Sequence, residues 1–181
     1  MTILVDPFHW FVVQVLTQHE QRVASQLEYK GHESFLPLYE SRRQWSDRRK
    51  ATMQPLFPGY VFCRTKRSQF TSVLGTSGVI RIVCFGGRPC PISNDEMDHL
   101  QIVTRSGRSV LPVPYAQIGQ RVEIASGPLS GISGVVVMLK NKNHLVISVD
   151  LIMKAFSIVI SPFDVIIADT RHGFTASICT C

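Results

Sequence analysis

The sequence predicts an α+β protein: an antiparallel sheet with flanking helices, joined by a linker to a small five-stranded β-barrel. Three observations carry that expectation. Strand and helix patterns are segregated over the first hundred residues. A stretch with two prolines and no amphipathic period then occupies residues 106–117. After it, five short strand patterns crowd into about 50 residues, punctuated by glycine and asparagine turns. The expected organisation is a first domain over residues 1–105, a linker over 106–117, a barrel over 118–168 and a flexible tail over 169–181. At 181 residues, 45% hydrophobic and 18% charged, the chain is too apolar for a disordered tail. It is also long enough to bury a core without disulfides or a metal.

In chain order, residues 10–15 are apolar and β-branched and read as a strand. Thr17, three residues before Glu20, offers a capping box, and Val23 with Leu27 continues a helical spacing towards a stop at Gly31. Residues 35–39 return as a strand in which Pro37 signals an edge or bulge. Residues 41–50 carry Arg42, Arg43, Arg48, Arg49 and Lys50 around the turn formers Ser46 and Asp47, and read as a charged hairpin or loop. Phe57, Pro58 and Gly59 lead into a strand over 60–64, residues 68–74 form a short helix ended by Gly75, and a strand over 79–85 closes at Gly86 and Gly87. Ser93 and Glu96 make a second capping box ahead of a helix whose apolar stripe is Met97, Leu100 and Val103. The strands of the barrel are expected over 121–125, 133–139, 144–149, 155–160 and 164–167.

Charge and residue chemistry narrow the function classes. The net charge is +6, and residues 1–108 hold 14 Lys/Arg against 9 Asp/Glu while the remainder is nearly balanced. The basic bias therefore belongs to the first domain, where Arg42 to Lys50 and a second cluster at Arg64, Lys66 and Arg67 make surfaces able to attract phosphate. Five cysteines contain no Cys-x-x-Cys, and Cys63 and Cys84 are expected as small buried hydrophobes inside strands. The six histidines never fall into a metal-ligand spacing, and there is no phosphate-binding glycine loop. Asp95, Glu96 and Asp98 cluster in the first turn of a helix, where the helix dipole accounts for them. No catalytic constellation, cofactor or metal is expected. No apolar run is long enough to span a bilayer and the N-terminus has no secretory pattern, so the expected location is the cytoplasm, with no membrane partner.

The most informative segment runs Gln54-Pro55-Leu56-Phe57-Pro58-Gly59-Tyr60-Val61-Phe62. Its prolines pre-set extended backbone and Gly59 admits a bend, so Tyr60 and Phe62 project from one face of a strand with Phe57 nearby. A core role and a binding role account for these aromatics equally well. About 60 residues later comes Val122-Glu123-Ile124-Ala125-Ser126-Gly127-Pro128-Leu129-Ser130-Gly131-Ile132-Ser133-Gly134-Val135. There Gly127 and Pro128 make a tight turn, while Gly131 and Gly134 relieve crowding where a barrel strand bends.

With the opening Trp10-Phe11-Val12-Val13, these segments resemble the NusG family of transcription elongation factors, and the second is similar to its KOW motif. The resemblance spans about residues 8 to 167. It implies a non-enzymatic elongation or antitermination factor. Val12, Phe57, Tyr60 and Phe62 would meet the clamp helices of the RNA polymerase β′ subunit, Thr71 and Ser72 the gate loop of the β subunit, and the basic hairpin non-template or upstream DNA. Leu151, Ile152 and Met153, expected on a barrel strand, would contact ribosomal protein S10 or another factor. Where the general factor commonly reads Ile-Phe-Gly-Arg, this chain has Leu151-Ile152-Met153-Lys154. That departure, with the basic run, looks more like the specialised paralogues RfaH and UpxY, which act on selected operons. The β-branched runs at 135–137 and 158–160 favour a stable barrel over a helical refolded form. The rival classes are a KOW-type RNA-binding protein associated with the ribosome, and an enzyme regulator using the same apolar concavity.

Overall fold

The computed structural model describes residues 6–45, 48–108, 110–113, 120–124, 127–139, 142–159 and 165–167. The chain divides into two compact units, Met1–Thr104 and Arg105–Cys181. In the first unit the elements are β1 (His9–Val15), α1 (Glu20–Tyr29), β2 (Glu33–Phe35), β3 (Leu38–Trp45), β4 (Arg48–Pro55), β5 (Tyr60–Thr65), α2 (Phe70–Leu74), β6 (Val79–Ile82), β7 (Cys84–Phe85), β8 (Arg88–Pro89), β9 (Pro91–Ile92) and α3 (Asn94–Arg105). The main sheet is antiparallel with order β2-β5-β1-β6, and β9 also pairs with β1. Two hairpins, β3–β4 and β7–β8, stand apart from it.

β1 is central, which explains why it is apolar almost throughout: it is covered on both faces. One face carries Phe11, Val13 and Val15, packed with Val61, Cys63 and Ile82 against Val23 and Leu27 of α1 and Val73 of α2. Phe70 meets Phe11 edge-on, with ring centroids 4.9 Å apart. The opposite face carries Trp10 and Val12 with Phe62, and all three are buried. The stripe expected on α3 is present, with Met97, Leu100 and Val103 buried, and the Ser93 hydroxyl accepts the Glu96 amide at 3.2 Å as an N-terminal cap.

Several local expectations are corrected. Thr17 does not cap α1. Gln18 takes a left-handed conformation at φ 70, the helix begins at Glu20 after His19, and no side chain caps it. The Glu20 carboxylate instead leaves its own helix and accepts the Gly59 amide at 2.7 Å. The strand expected over 35–39 is two strands, because Leu36 and Pro37 break it between β2 and β3. The strand expected over 79–85 likewise divides at Val83, and the β7–β8 turn uses Gly86 and Gly87, both at positive φ. Cys63 is buried, and desolvation pushes its thiol up to about 12. Cys84, expected as buried, is exposed because it lies on the short outlying hairpin. The basic run does form a hairpin, with Arg43 opposite Lys50 and Trp45 opposite Arg48. Its turn residues Ser46 and Asp47 lie outside the described residues.

The second unit is a six-stranded antiparallel sheet built from β10 (Val110–Val113), β11 (Gln120–Ile124), β12 (Ser133–Leu139), β13 (Lys142–Val149), β14 (Lys154–Val159) and β15 (Val165–Ile167), in the order β10-β14-β13-β12-β11-β15. Five of these strands are the expected ones. β10 is not: it comes from the stretch read as linker and pairs Val110 through Val113 with Ile158 through Ala155. Pro112 is compatible with this position, since a strand at the end of a sheet can forgo one N–H donor. Residues 109 and 114–117 of that stretch, and the tail over 169–181, lie outside the described residues. Gly127 and Gly131 form a glycine turn at φ 83 and 86, in which the Gly131 amide bonds the Ile124 carbonyl at 2.9 Å. Gly134 does different work. A Cβ there would stand 2.5 Å from the Val146 carbonyl oxygen, so it permits close approach of two strands rather than a bend.

Candidate functional site

The candidate surface of the first unit is the margin of the sheet face that carries Tyr60. Pro58 and Gly59 form a turn in which the Tyr60 amide bonds the Phe57 carbonyl at 3.1 Å and Gly59 sits at φ 82. This is the geometry of a type II turn, with proline at its first central position and glycine at its second. Both ends of Gly59 are engaged. Its carbonyl accepts the Val15 amide at 2.8 Å and its amide donates to Glu20 Oε1 at 2.7 Å.

Register then assembles the face in rows. Tyr60 lies opposite Gln14 of β1, and Gln14 lies opposite Arg81 of β6. The next row is Phe35, Phe62 and Val12, with Val83 joined to Val12 through a 2.8 Å backbone bond. Phe57 and Phe35 stand with ring centroids 6.0 and 6.2 Å from Phe62. Tyr60 and Phe62 thus share a face, as the alternation requires, but their exposure differs. Val12, Phe57 and Phe62 are fully buried, whereas Tyr60 is half-buried at the rim. In this structure the first three are core. The row with Tyr60 continues through Gln14 to Arg81, whose Nε donates to Gln14 Oε1 at 2.7 Å, while Phe85, on the separate β7–β8 hairpin, is 66% exposed. The sequence reading missed Gln14, Arg81 and Phe85. A polar residue within an apolar strand, and an aromatic beside a double-glycine turn, were the signals available.

α2 presents Thr71 and Ser72 at the surface. Beneath it lies a polar network. His32, buried after the end of α1, places Nε2 3.1 Å from Ser72 Oγ and Nδ1 3.2 Å from Thr65 Oγ1. The Thr65 hydroxyl also lies 3.4 Å from Gln69 Oε1 and from the Lys66 carbonyl. Each hydroxyl can donate to or accept from the neutral ring, so both ring nitrogens have a partner in either tautomer. Burial lowers the His32 pKa from its ordinary value, with Lys30 adding to the effect. The Lys30 ammonium donates to the Ser72 carbonyl at 3.0 Å and to Thr76 Oγ1 at 2.8 Å.

The second basic cluster is engaged locally. Arg64 pairs with Glu33 at 3.1 Å, Lys66 stands 4.7 Å over the Phe8 ring, and Arg67 donates to the Pro89 carbonyl. Asp6 accepts the Arg67 and Ser68 amides, and these bonds, Ser68 first, hold its carboxyl below the usual range. In the second unit, Leu151 and Ile152 lie in a 3-10 turn rather than on a strand, because the chain reverses there between β13 and β14. Ile152 is buried, Leu151 is half-buried, and Met153 is 66% exposed at φ 50. Among the described residues no three His, Cys, Asp or Glu side chains converge as a metal site, and no helix is long and apolar enough to cross a membrane.

The family model described as transcription termination factor nusG matches residues 8–101, more than half of the chain and the stretch that holds this rim. Among curated proteins, the transcription termination/antitermination protein NusG of Vibrio vulnificus is 29% identical over 162 residues, covering 81% of this chain and 88% of that protein. The protein of the same name from Thermus thermophilus is 27% identical over 149 residues, covering 70% and 80%. The solved structure reported as domain interaction in Thermotoga maritima NusG has a similar fold, with a TM-score of 0.55 at 19% identity, covering 90% of this chain and 98% of that one.

Proposed function

Because the chain belongs to the NusG family, we propose that it is an elongation and antitermination factor whose first unit binds RNA polymerase and bridges its clamp. The match over residues 8–101 carries this reading, and the rim geometry gives it a surface. Tyr60, with Gln14 and Arg81 in its row, meets the β′ clamp helices, while buried Val12, Phe57 and Phe62 form the platform that sets Tyr60 in place. Thr71 and Ser72 face the gate loop of the β subunit. The β3–β4 hairpin, with Arg42, Arg43, Arg48, Arg49 and Lys50 along its two strands, lies against non-template or upstream DNA. A bridge that binds the closed clamp tenfold better than the open one contributes about 1.4 kcal/mol, enough to shorten pauses measurably. No chemistry is required of the chain.

The second unit acts as a KOW barrel that recruits a further factor, ribosomal protein S10 or another, through exposed Met153 and half-buried Leu151, with Ile152 as support. The sequence at residues 151–154 and the basic hairpin support a specialised role on selected operons, in the manner of RfaH and UpxY. The test is affinity capture with core RNA polymerase followed by single-round elongation on a paused template. Polymerase binding with shortened pauses is the expected result. Binding to ribosomes or RNA without polymerase binding would replace this reading with that of a ribosome-associated RNA-binding protein.

A further inference from the structure

We propose that Glu20 is a positioning residue for the Tyr60 contact, its buried carboxylate holding the 57–60 turn in the one form that sets Tyr60 at the rim. The inference rests on the polymerase-binding role given to Tyr60 above. A glutamate in the first turn of a helix ordinarily lies in solvent, where it complements the helix dipole or caps its own helix. Glu20 does neither job in the usual way: it is only 3% exposed, and its Oε1 accepts the amide of Gly59, 39 residues further along the chain. Burying a carboxylate is unfavourable unless a good donor meets it, and the 2.7 Å bond to a backbone N–H supplies one.

The identity of that donor matters. The Gly59 N–H belongs to the peptide between the two central residues of the turn, the one peptide whose orientation distinguishes a type II turn from a type I turn. A flip of that peptide would turn the N–H away from Glu20. The Gly59 carbonyl is held to the Val15 amide at 2.8 Å, so the turn is pinned to β1 on one side and to α1 on the other. Tyr60 is the next residue, and its own amide closes the turn on Phe57. Glu20 therefore acts on the rim through the backbone without touching a partner.

The test measures the affinity of the full chain for core RNA polymerase in Glu20→Ala, Glu20→Asp, Glu20→Gln, Tyr60→Ala and the Glu20→Ala/Tyr60→Ala double variant, with hydrogen exchange at the Gly59 amide of the parent. Glu20→Ala should bind about tenfold more weakly, as should Glu20→Asp, whose carboxylate falls one methylene short. Glu20→Gln keeps the acceptor and should bind within about twofold of the parent. The double variant should bind no more weakly than Tyr60→Ala alone, because a positioning residue loses its effect once the group it positions is gone. The Gly59 amide should exchange slowly. Fast exchange there, losses that multiply in the double variant, or parent-like binding by Glu20→Ala while Tyr60→Ala is weakened would each overturn the positioning role alone. Parent-like binding by folded Tyr60→Ala would overturn the Tyr60 contact and the inference with it.

Discussion

Tyr60 and Phe62 are two residues apart on β5 and share a face, yet their burial gives them different work. Tyr60→Ala should leave the fold intact and weaken polymerase binding by about 2 kcal/mol, the usual cost of truncating an aromatic anchor at an interface. Phe62 is fully buried between Phe35 and Phe57, so Phe62→Ala should cost about 3–5 kcal/mol of stability, read as a lowered denaturation midpoint. A folded Phe62→Ala of parental stability would show that this face is not closed in solution. His32 supplies a pH dependence. Its folded-state pKa lies below the ordinary 6.5, so the unfolded chain takes up the proton first. The neutral ring has no such effect above pH 7. Stability should fall as pH drops below about 6.5 and continue to fall until the lowered folded value is passed. Comparing denaturation midpoints of the parent and His32→Gln between pH 5 and 8 checks this, since the variant should lose that part of the slope.

Among the elements, the β3–β4 hairpin concentrates positive charge. If Arg42, Arg43, Arg48 and Arg49 contact phosphates, replacing all four by Ala should reduce the slope of log affinity against log salt by up to about 3 on single-stranded DNA, at about 0.7 per contact. An unchanged slope would mark the hairpin as merely solvated. In the second unit the sensitive position is Gly134, where an added Cβ would meet the Val146 carbonyl 2.5 Å away and the Leu145 side chain at 3.0 Å. Backbone cannot yield as a flexible side-chain end can. Gly134→Ala should therefore destabilise this unit by about 1–3 kcal/mol in chemical denaturation, whereas Gly127 and Gly131 matter through their positive φ in a turn.

For the molecule as a whole, the division into two units does not fall where composition alone would put it. Because β10 pairs with β14, the second unit begins before the prolines rather than after them. A fragment of residues 105–181 should unfold at a higher temperature than one of residues 118–181, which leaves the β14 edge uncovered. Equal melting temperatures would mean that β10 contributes nothing. If the first unit alone bridges the clamp, residues 1–104 should retain pause suppression in single-round elongation and lose only the recruitment of S10 or another factor. Loss of pause suppression would show that the second unit takes part in the clamp contact.

What the amino-acid order determined by itself is what depends on local period and local turn chemistry. The apolar run of β1, the stripe Met97, Leu100 and Val103 with its Ser93 cap, the glycine turns and five strands of the second unit were all legible, since neighbours two to four residues apart carry the signal. The two family segments were legible for the same reason, as short contiguous runs. Tertiary structure decided that both apolar faces of β1 are closed, and so made Val12, Phe57 and Phe62 core while leaving Tyr60 half-buried and Phe85 exposed. It also decided that Glu20 bonds Gly59 rather than caps its own helix, and that Pro112 sits in a strand at the end of a sheet rather than in a linker. Each of these turns on a partner tens of residues away, and a buried donor or an open sheet edge takes whichever partner the fold brings to it.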